Sequence, residues 1–109
     1  MAFDTTLADR IRSRLRTRKG FTEKKMFGGI AFLLNGNMCC GVHGKDMILR
    51  LDPAATEEAL ASKHTRIFDL TGRPMKGWIL VGAKGLAKDA DLGKWMDVAV
   101  EWAQSLPAK

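Results

Sequence analysis

Apolar side chains along this chain fall on two strong helical stripes separated by short strand-like runs. In the first stripe Leu7, Ile11 and Leu15 recur every four residues, with Phe3 able to extend the line, and the spacing predicts a helix over residues 4–17. Gly20 ends it. The last stripe is the clearest: Leu92, Trp95, Met96, Ala99, Trp102, Ala103 and Leu106 trace one face, with Asp91 as a cap and Pro107 as a stop. Between them, Asp52-Pro53 reads as a helix start. The carboxylate can cap free N–H groups, proline suits the first turn, Glu57 and Glu58 favour the positive end of the dipole, and Leu60 anchors the segment.

Residues 30–34, 38–43 and 46–51 read as strands, joined by the turns Asn35-Gly36 and Gly44-Lys45. If both loops hold two residues, Val42 faces Met47, Cys40 faces Leu49, and Met38 faces Leu51. Ala31 and Leu33 then join the core face. The reverse face carries Ile30, Phe32, Leu34 and Ile48, mixed with Cys39, His43, Asp46 and Arg50. A slip of one residue would exchange the faces. Further on, Ile67, Phe68 and Leu70 lead into a turn-rich stretch, 71–77, and residues 78–81 form another short strand closed by Gly82. With three or four strands, a helix and one or two more strands between the terminal helices, few crossovers suit a parallel sheet. The expected class is α+β with a mainly antiparallel sheet.

The length, 109 residues and 12.0 kDa, makes residues 1–109 one expected domain with its core at about 5–106. No apolar run is long enough to cross a bilayer. Asp4 and Asp9 argue against a transit peptide, and no apolar signal core precedes Arg10. The adjacent Cys39 and Cys40 have Cα atoms held about 3.8 Å apart, too close for ordinary disulfide geometry. Reduced thiols in a cytoplasmic protein are the expectation. The net charge is +6, but residues 10–25 hold eight basic side chains against Glu23, so all of the excess lies there. Such asymmetry points to an acidic partner or nucleic acid.

Three separated motifs carry a family resemblance. Lys24-Lys25-Met26-Phe27-Gly28-Gly29-Ile30-Ala31-Phe32, the Asn35-Gly36 hairpin, and Gly72-Arg73-Pro74-Met75-Lys76-Gly77-Trp78 occur in order, before a final helix with Leu92 and Trp95. Together they resemble the TfoX/Sxy N-terminal domain family over about residues 5–106. The resemblance implies a two-layer α-β(3)-α-β(2)-α fold, similar to the secretion-chaperone type. Named members of that family regulate natural competence as transcriptional co-activators and carry a second, C-terminal domain, which is not expected within these 109 residues.

Candidate chemistry is sparse. Cys39 and His43 on one strand face stand about 13 Å apart, too far for one ion, so no metal site is expected from Cys39, Cys40, His43 and His64. Gly72 and Gly77 have a phosphate-loop spacing, but Trp78 and Ile79 stand where Lys and Ser/Thr are required. Gly82-Ala83-Lys84-Gly85 follows a strand instead of joining two helices, unlike a KH clamp. Ser13, Ser62 and Ser105 lack an evident base and orienting partner. No catalytic residue and no cofactor are therefore assigned. The proline-stiffened loop with Arg73, Met75 and Lys76 is a candidate site for an anion or a partner chain.

The reading that follows is a small non-enzymatic association module and homodimer, its dimer face formed by Ile30, Phe32, Leu34 and Ile48, which have no obvious lid. A regulatory role and another protein partner fit the same reading. The alternative is an accessory nucleic-acid-binding domain in transcription or competence regulation. Its weak, sequence-blind phosphate contacts would come from Arg10, Arg12, Arg14, Arg16, Arg18 and Lys19. A small-molecule enzyme ranks third.

Overall fold

A computed structural model describes residues 3–26, 28–68 and 77–108. Helix α1 (Thr5–Leu15) is followed by β1 (Phe21–Met26), β2 (Gly29–Leu34), β3 (Asn37–His43) and β4 (Asp46–Arg50). A 3₁₀ turn (Pro53–Ala55) leads into α2 (Thr56–Leu60), then come β5 (Thr65–Ile67), β6 (Trp78–Val81), a second 3₁₀ turn (Ala83–Gly85) and α3 (Asp89–Ser105). The six strands form one antiparallel sheet in the order β1-β2-β3-β4-β6-β5. The α+β class is therefore as expected, with four strands before α2.

Local chemistry explains where the elements begin and end. Asp4 caps α1, its Oδ1 accepting from the amides of Thr6 and Leu7 at 2.9 and 3.1 Å. Asp52 caps the first 3₁₀ turn by accepting from Ala54 N, with Pro53 behind it as expected. Helix α3 starts earlier than Asp91: Lys88 is its N-cap, and Asp89 and Asp91 both lie in the first turn, where negative charge favours the dipole. Asn35 and Gly36 have φ of 54° and 83°, the left-handed pair that a tight hairpin demands.

The faces of the sheet are the main correction. Leu33 pairs with Met38 as a two-residue turn requires, but Phe32 pairs with Cys40, not Cys39. One extra residue at Cys39 makes a β-bulge, which reverses the inward and outward order of β2 relative to β3. Ile30, Phe32 and Leu34 therefore lie in the main core with Cys40, Val42, Met47, Leu49, Ile79 and Val81. Leu7, Ile11 and Leu15 of α1 and Leu92, Met96, Ala99, Val100 and Ala103 of α3 close that core. Met38 and Ala31 move to the other face, with Leu33 half-buried among them. Both cysteine side chains sit in the main core, fully buried and unbridged.

The reverse face is not bare either. Ala31, Met38, Ile48, Phe68 and Leu80 form a second buried cluster, with Leu33 and Trp78 packed against it. The rings of Phe68 and Trp78 meet at 5.8 Å and 45°, and the Arg50 guanidinium lies 5.4 Å from the Trp78 ring centre. The expected dimer face thus fails in both parts. Ile30, Phe32 and Leu34 are under helices, and Ile48 is 1% exposed on the opposite side.

Candidate functional site

The basic segment divides into residues that hold the fold and residues that face solvent. Arg10 Nη2 donates to Leu86 O at 2.8 Å and to Asp89 Oδ1 at 3.0 Å, tying α1 to the start of α3. Arg12 donates to both Glu23 oxygens and to Asp9, with its guanidinium carbon 5.8 Å from the Phe32 ring centre. The hydrogen bonds from Arg12 hold the Glu23 carboxyl below its ordinary pKa, and the same pairing raises that of Arg12. Arg14 Nη2 donates to Asp89 O at 3.1 Å, and its Nη1 lies 3.0 Å from where a Cβ on Gly93 would stand. A glycine inside α3 is unfavourable for the helix, and here it makes room for that guanidinium.

Of the expected phosphate contacts, Arg10, Arg12 and Arg14 are thus turned onto the protein itself. Arg16, Arg18 and Lys19 are exposed, as are Lys24 and Lys25 on β1, and none of the five makes an ion pair among the described residues. They border β1, which ends the sheet among the described residues. The only acid on β1, Glu23, is already matched by Arg12. This edge is a concentrated positive surface. Phe21, the nearby aromatic residue, is half-buried and stacked on Phe32 at 6.0 Å, so its ring is not offered to a base.

Elsewhere Lys63, His64, Lys84, Asp91 and Lys94 line one hollow, and none of them makes an ion pair among the described residues. No group of three or more His, Cys, Asp or Glu side chains that could hold a metal occurs among the described residues. His43 lies opposite Asp46 in the β3–β4 register, Asp46 is ion-paired with Arg66, and the two thiols lie in the main core. The hydrogen bond with Cys39, then burial, pushes the Cys40 thiol well above its ordinary pKa, so it is a poor nucleophile. The loop residues Arg73, Met75 and Lys76 lie outside the described residues. No helix among those described is long and apolar enough to cross a membrane.

Two buried polar residues have structural roles that their sequence positions did not announce. Asn37 is 2% exposed and its Nδ2 donates to Pro107 O at 2.9 Å, fastening the end of the chain to β3. Thr56 Oγ1 accepts from Gly77 N at 2.9 Å, tying α2 to the entry of β6. No sequence pattern signals either, since Asn37 follows the Asn35-Gly36 turn and Thr56 precedes Glu57 and Glu58.

No curated protein and no solved structure matches the chain. Its residues 13–103 match the model of the TfoX N-terminal domain, a span that takes in the end of α1, the whole sheet and most of α3, and the chain belongs to that family.

Proposed function

We propose that this chain is an intracellular association module that acts by binding protein surfaces and not by catalysis. The observation that carries the reading is the β1 edge, the last strand of the sheet among the described residues, which lies beside Arg16, Arg18, Lys19, Lys24 and Lys25, none of them ion-paired among those residues. Lysines on an edge strand repel casual pairing with other strands. An acidic extended segment is the kind of strand they admit, because it gains ladder hydrogen bonds and charge complementarity together. The family is in general a non-catalytic one.

A nucleic-acid reading draws on the same cations. Lys24 and Lys25 are adjacent on a strand, so they point to opposite faces of the sheet and do not line one groove. Three of the segment's arginines are engaged internally, which lowers the number of phosphates the surface can neutralise.

An NMR titration at physiological salt separates the two. A peptide alternating Glu and Val is expected to shift the amides of β1 and residues 16–19, and Lys24→Glu with Lys25→Glu to abolish the effect. A short DNA duplex should leave them unmoved. Shifts produced by the duplex and not by the peptide would overturn the reading.

A further inference from the structure

The outward side of α3 carries charges that nothing among the described residues answers. Lys94, Asp97 and Glu101 are exposed and make no ion pair among the described residues. Asp97 and Glu101, one turn apart, repel each other. Two shallow hollows meet along this side and share Val98 and Glu101; Arg14, Gly93 and Asp97 help line one, and Ala55 and Trp102 the other. Val98, where the hollows join, is 37% exposed and is the only large apolar side chain that stands out into solvent among the described residues.

We infer that this face of α3 docks a second copy of the chain, the two α3 helices lying antiparallel across a two-fold axis between Asp97 and Val98. The inference rests on the association reading and names one partner for it. Lys94 and Glu101 are seven residues apart, so they fall within about 20° of one line along the helix, roughly two turns from each other. A two-fold axis midway between them sets Lys94 opposite Glu101 of the second copy, and Glu101 opposite Lys94 of the second copy. The same axis brings the two Val98 side chains together and sets Ala90 opposite Ser105 of the second copy. On the α1 side the two Asp97 carboxylates approach, a like-charge contact that helps keep the dimer weak, with Arg14, hydrogen-bonded to Asp89 O, lining the same hollow.

Charge order selects the occupant. A foreign helix would have to present a carboxylate and an ammonium in the reverse order at the same spacing, whereas a second copy supplies that order by symmetry. Such an isologous contact closes as a pair and does not propagate. One helix pair buries less than the roughly 800 Å² per partner of a standard interface, so the dimer is weak.

Sedimentation equilibrium on the wild type, Lys94→Glu, Glu101→Lys, the double variant, and an equal mixture of the two single variants tests this. The wild type is expected to dimerise with a Kd on the order of 100 μM. Each single reversal creates two like-charge contacts per dimer and should weaken association about tenfold. The mixture and the double variant each rebuild two attractive contacts and should recover wild-type affinity. Circular dichroism confirms that each variant is folded. A wild type that stays monomeric to about 1 mM, or a mixture that associates no better than its components, would overturn the inference. Dimers untouched by either reversal would also overturn it, because another face would be responsible, while the association reading itself would stand.

Discussion

Arg12 and Glu23 meet as a two-pronged ion pair, Nε to Oε2 at 2.6 Å and Nη2 to Oε1 at 2.9 Å, that fastens α1 to the edge strand β1. Each side chain is about one-third exposed, so the pair contributes modestly, about 1 kcal/mol. Its pH dependence has a definite sign. Glu23 titrates lower in the folded chain than its ordinary 4.5, so its contribution is complete above that ordinary value and is lost as pH falls through the folded value. Denaturant unfolding of wild type and Glu23→Gln should differ by about 1 kcal/mol near neutrality and converge in acid. A difference that grows in acid would refute this assignment.

The second buried cluster makes its own demand. Phe68 is 1% exposed against Trp78 and the reverse face of the sheet. Truncation to Ala should cost about 3–5 kcal/mol, the loss typical of a buried aromatic side chain. If thermal unfolding of Phe68→Ala matched the wild type, this face would not be a core.

Cys39 and Cys40 should be inert in the folded state, because both are fully buried and the Cys40 thiol is held protonated. Alkylation with iodoacetamide at neutral pH should label neither thiol in native buffer and both in denaturant. Rapid labelling of the native chain would show that the bulge opens.

Asn37 offers a local test of how the chain end is held. Asn37→Ala removes the bond to Pro107 and should cost about 1 kcal/mol. Hydrogen exchange should quicken in the last turn of α3 while the β2–β3 amides stay protected. Uniform loss of protection would mean that the bond supports the whole fold.

The helices were legible because α1 and α3 each bury one continuous stripe, and period alone locates such a stripe. The edge strand β1 was not. Its sequence Phe-Thr-Glu-Lys-Lys-Met is polar because four of its residues face solvent, so it lacks the alternation that marks a half-buried strand. The hairpin turn at Asn35-Gly36 was legible, yet the faces came out reversed. The bulge at Cys39 adds a single residue, and no residue type announces it, since Cys-Cys packs as readily in a regular strand. The cationic segment was visible as a charge run. Which arginines are engaged depended on Glu23, eleven residues from Arg12, and on Asp89, 79 residues from Arg10, and the fold brings those partners near.

Light scattering in physiological salt, on the chain alone, with the Glu-Val peptide and with a short DNA duplex, tests most directly whether this chain works by protein association. The expected result is a mass that rises above 12.0 kDa with concentration, a complex with the peptide, and none with the duplex. A mass fixed at 12.0 kDa in the first two samples, with a complex only in the third, would contradict the account.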